Sequence, residues 1–259
     1  MPQIHTVLQG LNTSTSEGNL SYCGVTLLRG ERTTLVDVGF QGRQALLIER
    51  LHALGVEPTD VERVVLTHAH WDHSLNLLRF PNAEVVIHRD EYEYVQQPTA
   101  GDWATPAYTQ DILRRARQVT TVSDGEELEP GVRVMAVPGH SPGSMAVLVE
   151  TPTGVAGIVG DALPMRAAAM APVPSARLIF FDEEAGERSA RRIIDTCRFV
   201  YPGHDRPFSV DAGQFHYMEP ASLTVVNPPR DEDGTVRAAI NEAEVPFETV
   251  VQSIARRRA

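Results

Sequence analysis

The chain has 259 residues, of which 42% are hydrophobic and 22% are charged, the composition of a soluble globular protein with a full core. Its formal net charge of −11 would repel a phosphate backbone, so we expect no nucleic-acid partner. We find no apolar run long enough to cross a bilayer, no signal-peptide pattern at the N-terminus and no CxxC pair among the two cysteines. These features predict a cytoplasmic protein without a membrane anchor.

The first third of the chain contains β-rich runs separated by turn residues, then a helical pattern and an apolar run. Leu47, Leu51 and Leu54 recur at helical spacing, so we expect a helix over Arg43–Leu54. A strand is predicted over Val61–Leu66, where four of the six residues are apolar, as in a strand that is buried within a sheet. Three further strands are predicted, over Ile4–Leu8, Val25–Leu28 and Thr33–Val38.

The rest of the chain continues to mix strands and helices. Residues 97–110 are polar and rich in Pro and Gly, so they are predicted to be a loop or lid. Residues 163–178 are mostly Ala, Pro and Met and are predicted to be a loop near a site. Strands are predicted over Glu84–His88, Val132–Val137, Met145–Glu150, Val155–Val159 and Phe199–Tyr201. Helices are predicted over Asp90–Gln96, Gln110–Gln118, Glu183–Thr196 and Val245–Arg256. This mixture indicates a layered α/β protein, which we interpret as a single domain over residues 1–259 with residues 210–259 as a C-terminal extension.

The densest cluster of potential metal ligands directly follows the strand predicted over Val61–Leu66. It reads His68-Ala69-His70-Trp71-Asp72-His73, which places four ligand-type side chains within six positions. Histidine is the commonest zinc ligand in proteins, and aspartate supplies an oxygen ligand. Because a single ion takes three or four protein ligands and further candidates follow downstream, the sequence predicts two bound metal ions.

Three further candidate ligands each follow an apolar run. His140 and His204 both occur in Pro-Gly-His turns, and Asp161 follows Gly160. Glycine beside a ligand permits tight backbone geometry. Asp37 either orients a ligand or only forms a turn at a strand end. The remaining histidines are expected to be surface residues: His5, His52, His88 and His216.

The order of these motifs resembles the metallo-β-lactamase-fold hydrolase superfamily over roughly Val25–Phe208. The HxHxDH motif at residues 68–73 carries the strongest likeness. The other matching segments, in the same order, are Leu35–Gly39, Pro138–Ser144, Gly160–Asp161 and Pro202–His204. The resemblance implies a four-layer αββα sandwich with the site at one edge of its two sheets.

The resemblance also implies a cofactor and its ligands. Two zinc ions are implied, with iron or manganese as alternatives. A water or hydroxide would lie between the ions, and Asp72 would also act catalytically by orienting this nucleophile or taking up its proton. In the implied arrangement one ion is held by His68, His70 and His140, the other by Asp72, His73 and His204, and both by Asp161.

Within the superfamily, the stretch Thr67–Glu93 is similar to N-acyl homoserine lactonases, and the metal residues also match the glyoxalase II group. Those lactonases place a tyrosine three residues after the bridging aspartate, where this chain has Pro164. The resemblance therefore implies hydrolysis of an ester, lactone or thioester bond in a small-molecule substrate. Two alternatives stay open, a mononuclear iron enzyme like the persulfide dioxygenases and a phosphodiesterase of the same fold. The sequence leaves the oligomeric state open.

Overall fold

The computed structural model describes residues 1–15, 18–171, 173–174, 180–221, 223 and 232. Residues Met1–Pro220 form one compact unit, and Ala221–Ala259 are a second unit that is described only at residues 221, 223 and 232. The helix predicted over Val245–Arg256 lies outside the described residues. None of the helices that are described is long and apolar enough to span a membrane.

Two large sheets and one small hairpin contain the strands of the described residues. The strands, in chain order, are β1 (Gln3–Leu8), β2 (Leu11–Thr15), β3 (Gly18–Tyr22), β4 (Val25–Arg29), β5 (Thr33–Val36), β6 (Arg63–Val65), β7 (Glu84–His88), β8 (Gln118–Val122), β9 (Glu127–Glu129), β10 (Val132–Ala136), β11 (Met145–Thr151), β12 (Gly154–Gly160), β13 (Phe199–Pro202), β14 (Phe208–Asp211) and β15 (Gln214–Tyr217). The α-helices are α1 (Gln44–Ala53), α2 (Trp71–Ser74), α3 (Arg89–Gln96), α4 (Ala107–Arg115), α5 (Arg166–Ala169) and α6 (Glu183–Thr196).

The sheet topology places several strand ends side by side. The first sheet has the order β1-β4-β5-β6-β7-β8, and the second has the order β15-β14-β13-β12-β11-β10-β9. In the first sheet β5, β6, β7 and β8 are parallel, and in the second sheet β12 and β13 are parallel. Parallel neighbours end at the same sheet edge. The residues that follow β5 and β6 therefore emerge together, as do those that follow β12 and β13.

Alternating side chains of the first sheet build two separate cores. Leu35 packs in a core with Leu47 and Leu51 of α1. Val36, the next residue along the same strand, packs in a different core that lies between the sheets. Successive side chains of a strand point to opposite faces, so one strand supplies both cores.

The second sheet is covered in the same way. Leu148 of β11 packs with Ile193 of α6, whereas Val147 and Val149 join Val36 in the core between the sheets. The layers are therefore helices, first sheet, second sheet and helix. This arrangement confirms the predicted αββα sandwich.

Two predicted boundaries are wrong for identifiable reasons. The strand predicted over Thr33–Val38 ends at Val36, because Asp37 adopts a left-handed conformation with φ of 57°. The helix predicted over Gln110–Gln118 lies at Ala107–Arg115, directly after Pro106, and Gln118 begins β8 instead. Pro106 is the N-cap of this helix, with extended backbone, and its carbonyl accepts a 2.9 Å hydrogen bond from Thr109 N in the first turn.

Several polar strands escaped the sequence analysis. β2 and β3 read LNTST and GNLSY, which lack the apolar alternation that signals a strand. The hairpin of β14 and β15 extends the second sheet to Tyr217. The sheet thus continues past residue 210, where the C-terminal extension was predicted to begin.

Candidate metal centre

All the predicted ligand residues lie together at the strand ends, and each is at most 8% exposed. They come from four places in the chain. His68 and His70 follow β6, and Asp72 and His73 lie in the first turn of α2. The others lie in the β10–β11 loop, directly after β12 and directly after β13: His140, Asp161 and His204.

Three imidazoles form the first part of the centre, which we call subsite A. His70 Nδ1 lies 3.0 Å from His68 Nε2 and 2.9 Å from His140 Nε2. The three nitrogens lie within 4.8 Å of one another, as the ligands of one ion must. Subsite A therefore offers three nitrogen ligands from two separate loops.

A second group, subsite B, consists of Asp72, His73 and His204. Asp72 Oδ2 lies 3.4 Å from His204 Nε2 and 3.7 Å from His73 Nε2. Asp161 lies between the subsites, with Oδ1 at 3.4 Å from His73 Nε2 and Oδ2 at 3.5 Å from His140 Nε2. One carboxylate thus reaches ligands of both subsites.

Asp37 orients one histidine of each subsite through the ring nitrogen that faces away from the subsite. Asp37 Oδ2 accepts a 2.8 Å hydrogen bond from His73 Nδ1 and another of 2.8 Å from Thr67 Oγ1. Because the Thr67 hydroxyl donates to Asp37, it accepts from His68 Nδ1, which lies 3.1 Å away. Asp37 is therefore more than a turn former: it fixes His73 directly and His68 through Thr67.

Two further ligands have polar partners on the side away from the subsites. His204 Nδ1 lies 3.0 Å from Ser21 Oγ in the β2–β3 hairpin. His70 Nε2 lies 3.4 Å from Asp102 Oδ2, in the loop between α3 and α4. Such partners orient an imidazole and select which nitrogen keeps the proton.

The chemistry of subsite A fits a metal ion. His68 Nδ1 lies 3.1 Å from Thr67 Oγ1, and His70 Nε2 lies 3.4 Å from Asp102 Oδ2, an ion-pair contact without hydrogen-bond geometry. These oxygens favour a proton on the nitrogen that faces away from subsite A in each ring. The two remaining nitrogens, 3.0 Å apart, then both present lone pairs to the same point. Facing lone pairs repel each other, and a metal ion between them would satisfy both nitrogens at once, since metal ligands are unprotonated at the bonding atom.

Subsite B fits a metal ion as well. His73 Nε2 and Asp161 Oδ1 are buried and have no hydrogen-bond partner among the described residues. Buried polar atoms normally have partners, and a bound ion is one of the partners that can satisfy them. A zinc ion accepts both nitrogen and carboxylate oxygen ligands, so it would satisfy these atoms together.

The pKa values of the histidines are shifted in opposite directions in the two subsites. Burial and the neighbouring imidazoles of His73, His70 and His140 lower the pKa of His68 well below its usual value. Burial also opposes the charged form of His204, but Asp161 and Asp72 outweigh it and raise the pKa of His204. Subsite B is thus the more anionic part of the centre, and without metal it attracts protons.

Aromatic side chains border both subsites. The ring centroid of Phe180 lies 5.1 Å from that of His70 and 5.6 Å from that of His140. Trp103 lies 5.8 Å from Phe180 and is 55% exposed. Trp71, next to Asp72 in the sequence, packs edge-on against Phe40 at 5.3 Å. Phe180 and Trp103 therefore place aromatic surface beside subsite A.

Three residues that support the centre could not be identified as such from the sequence: Ser21, Glu91 and Asp102. Glu91 is buried and accepts hydrogen bonds from Ala69 N and Ser141 Oγ, in two loops that carry ligands. Glu91 had a detectable signal, because it shares the buried face of α3 with Val95, four residues later. A charge on the buried face of an amphipathic helix requires a partner. Ser21 and Asp102 lie in polar segments and carry no such signal.

The histidines expected at the surface divide into two groups. His52 is half exposed and pairs with Glu57 at 3.0 Å, which agrees with a surface role. His216 on β15 is also exposed. His88, in contrast, is only 7% exposed and accepts a hydrogen bond from Asp90 N at the start of α3. The surface prediction is wrong for His88, which caps a helix instead.

The family model described as metallo-beta-lactamase superfamily matches residues 19–215. Metallo-beta-lactamase domain-containing protein 1 of Xenopus laevis is 30% identical over 209 residues, which cover 80% of this chain and 81% of that protein. The N-acyl homoserine lactonase of Bacillus cereus is 27% identical over 164 residues, covering 61% of this chain and 62% of the lactonase.

A solved structure shares the fold at lower sequence identity. It is AidC, a dizinc quorum-quenching lactonase in complex with a product, N-hexnoyl-L-homoserine. The TM-score is 0.61 at 18% identity, and the match covers 78% of this chain and 80% of that one. At this identity the likeness shows the fold alone.

Proposed function

This chain belongs to the metallo-beta-lactamase superfamily, and from that premise we propose that it is a dinuclear metal-dependent hydrolase that cleaves an ester, lactone or thioester bond. The observation that carries the proposal is the pair of nitrogens His68 Nε2 and His70 Nδ1. They face each other at 3.0 Å, while the other ring nitrogens lie 3.1 Å from Thr67 Oγ1 and 3.4 Å from Asp102 Oδ2. A metal cation would satisfy the lone pairs of both facing nitrogens, which supports the proposal.

We assign one ion to subsite A, one to subsite B, and Asp161 to both. Zinc suits a mixed set of imidazole and carboxylate ligands, and iron or manganese could take the same set. Two ions bound in this way lower the pKa of a water molecule and polarise a substrate carbonyl. The fold neighbour that is named as dizinc supports two zinc ions here.

Asp72 is the carboxylate that we assign to catalysis. Its side chain is 12% exposed, whereas that of the neighbouring His73 is fully buried, so Asp72 is the more open to an incoming water molecule. A carboxylate in that position orients the attacking water and accepts its proton. No serine or cysteine nucleophile is then needed.

The substrate class rests on the walls of the site and on the relatives. Phe180 and Trp103 present apolar surface beside subsite A, which suits the hydrocarbon part of a small-molecule ester. A curated relative is a lactonase. Because Pro164 replaces the tyrosine of the lactonase motif, we keep esters and thioesters in the proposal beside lactones. A cytoplasmic location stays a prediction from composition.

Metal analysis combined with a substrate panel tests this function. We expect two zinc ions per chain and turnover of esters, lactones or thioesters in preference to phosphodiesters. Asp72→Asn should lower kcat by about 100-fold or more, in the range of lost acid–base catalysis. His140→Ala should lose metal from subsite A, whereas His216→Ala on the exposed face of β15 is the matched control and should retain both ions.

Two results would contradict the proposal. The first is a single iron per chain together with oxygen uptake on a thiol or persulfide, which would indicate the redox alternative. The second is a protein that holds two metals but turns over only phosphodiesters. Either result would show that the chain catalyses a different reaction, although it would still belong to the same superfamily.

A further inference from the structure

Asp102 is a buried carboxylate in a loop, in contact with a metal-ligand histidine. Its side chain is fully buried, and so is 98% of that of His70. Asp102 Oδ1 accepts hydrogen bonds from Ala104 N at 2.8 Å and Thr105 N at 3.1 Å. Asp102 Oδ2 accepts from Thr105 Oγ1 at 2.7 Å and Tyr94 Oη at 2.9 Å, and it lies 3.4 Å from His70 Nε2. Four hydrogen bonds thus fix the carboxylate beside the imidazole, which it meets in an ion-pair contact and not in a hydrogen bond.

We propose that Asp102 is a positioning residue that keeps His70 in the tautomer required for metal binding and ties residues 97–106 to the metal centre. The inference rests on the proposed function, because it assigns His70 Nδ1 to a metal ion. It adds a residue that the ligand motif does not contain.

The tautomer follows from the hydrogen-bonding capacity of each group. An ionised carboxylate can only accept, so the Asp102 oxygen favours a proton on His70 Nε2. A neutral imidazole carries a single N–H, and Nδ1 is then left with a lone pair. That lone pair points at the nitrogens of His68 and His140, at 3.0 and 2.9 Å. Asp102 therefore selects the metal-binding form of His70 before any ion arrives.

The loop is coupled to the centre through the neighbours of Asp102. Ala104 O accepts a 3.0 Å hydrogen bond from Trp71 N, at the start of the helix that carries Asp72. Trp103, between these two anchors, contacts Phe180, which packs against His70. One carboxylate thus fixes a metal ligand and the aromatic wall beside it.

Asp102→Asn is the variant that separates this role from bulk packing. The amide oxygen can still accept from Ala104 N and Thr105 N. The amide nitrogen carries two hydrogens, so it can donate to one of the two hydroxyls, of Thr105 or Tyr94, and to His70 Nε2. A donor in that position requires an acceptor at Nε2. His70 should then move its proton to Nδ1, where it blocks the metal.

Tyr94→Phe is the matched control, since it removes another partner of the same carboxylate oxygen and leaves the contact with His70. Histidine tautomers are read from long-range ¹H–¹⁵N spectra of the metal-free protein with labelled histidine, and His70→Gln identifies the signals. We expect the Nε2–H form of His70 in the unaltered protein and in Tyr94→Phe, and the Nδ1–H form in Asp102→Asn.

Chelator competition supplies the second readout. Zinc binding at one of the two sites should weaken about 10–100-fold in Asp102→Asn, the usual effect of removing a partner of a metal ligand. Thermal unfolding checks that the variant is folded. An Nδ1–H form of His70 in the unaltered protein would overturn the inference without any variant, as would equal zinc affinity in Asp102→Asn. If the unaltered protein binds no metal, the proposed function fails instead, while the tautomer can still be measured.

Discussion

Glu91 on α3 accepts a 2.6 Å hydrogen bond from Ser141 Oγ in the loop that carries His140. The same fully buried carboxylate accepts from Gly143 N at 3.0 Å and, through its other oxygen, from Ala69 N at 2.9 Å. Ala69 lies between His68 and His70 in the sequence. A single side chain outside the ligand set therefore joins the two loops that build subsite A.

Replacing Glu91 by glutamine should weaken this junction. A glutamine amide has one acceptor oxygen, so its nitrogen must face the N–H of Ala69 or that of Gly143. We expect the free energy of unfolding of the metal-free protein to fall by about 1–3 kcal/mol, the cost of unsatisfied buried donors. Urea unfolding measures this change. Glu93→Gln on the exposed face of the same helix should have no effect, and an equal loss in both variants would contradict the role of Glu91.

Replacing Asp37 by asparagine should disturb both subsites. Asparagine tolerates the left-handed backbone that Asp37 adopts, so the variant changes the side-chain chemistry and spares the turn. Its amide nitrogen would donate towards His73 Nδ1 or Thr67 and reverse the hydrogen bonds that orient His73 and His68. We expect zinc affinity to fall about 10–100-fold at both sites, measured by chelator competition.

The exposed Asp195 on α6 offers a control for Asp37, since Asp195→Asn makes the same chemical change away from the centre. This control should retain both zinc ions at unaltered affinity. The contrast with Asp102 is also informative, because Asp102→Asn should affect one site and Asp37→Asn should affect two. Loss of one ion alone in Asp37→Asn would show that the path through Thr67 does not hold His68.

The candidate ligands could be predicted from the sequence because each lies in a local pattern. His68 to His73 form one dense motif, and His140 and His204 repeat a Pro-Gly-His turn after an apolar run. The layers were predictable for a similar reason, since continuous apolar runs such as Met145–Val149 mark strands that are covered on both faces. Local patterns of this kind can be recognised in the sequence without knowledge of the fold.

The residues that orient the ligands could not be predicted in the same way. Asp102 lies 32 positions after His70, and Ser21 lies 183 positions before His204, so only the folded chain brings each pair together. Both are ordinary polar residues in polar segments. The hairpin that carries Ser21 also lacks apolar alternation, so the periodicity of the sequence does not predict its strands.

Gly203 should be required for the position of Asp161. A Cβ at residue 203 would lie 2.0 Å from Asp161 Oδ1 and 3.0 Å from the carbonyl carbon of Gly160. Gly203→Ala therefore pushes the proposed bridging carboxylate away from both subsites. We expect hydrolysis to fall by about 100-fold, the scale of a 1 Å misplacement of a catalytic group. Metal analysis should show partial loss of zinc.

Gly24→Ala is the space-matched control for Gly203. Its added Cβ would meet its nearest atoms at 3.4 Å, and its backbone bonds to Gly203 O, so it tests the same region without the clash. We expect it to remain active. Full activity of Gly203→Ala would show that Asp161 can move without consequence and would contradict its assignment to both ions.

The buried ion pair between Arg63 and Glu129 should support the fold without affecting the metals. Arg63 Nη1 lies 3.2 Å from Glu129 Oε2, with both side chains at most 7% exposed. The pair joins β6 of the first sheet to β9 of the second. Glu129→Gln should lower the free energy of unfolding by about 3 kcal/mol, because it leaves a buried charge unpaired.

Replacing both partners supplies the control for this ion pair. Arg63→Met combined with Glu129→Leu leaves no lone charge and should be less destabilised than Glu129→Gln alone. Urea midpoints compare the variants, and metal analysis should find two zinc ions in each. A double variant that is less stable than the single variant would show that the pair contributes more than it costs to bury.

Trp103 should set the preference for the length of an acyl chain. Its ring, 55% exposed, continues the apolar wall that Phe180 begins 5.1 Å from His70. Each methylene buried against such a wall contributes about 0.8 kcal/mol, or about fourfold in kcat/KM. Trp103→Ala should therefore flatten the rise of kcat/KM from acetyl to hexanoyl esters, mainly through KM, while acetyl esters change little.

Tyr108→Ala removes a comparably exposed aromatic ring from α4 and should keep the original slope. An unchanged slope in Trp103→Ala would mean that the acyl chain does not lie against this wall.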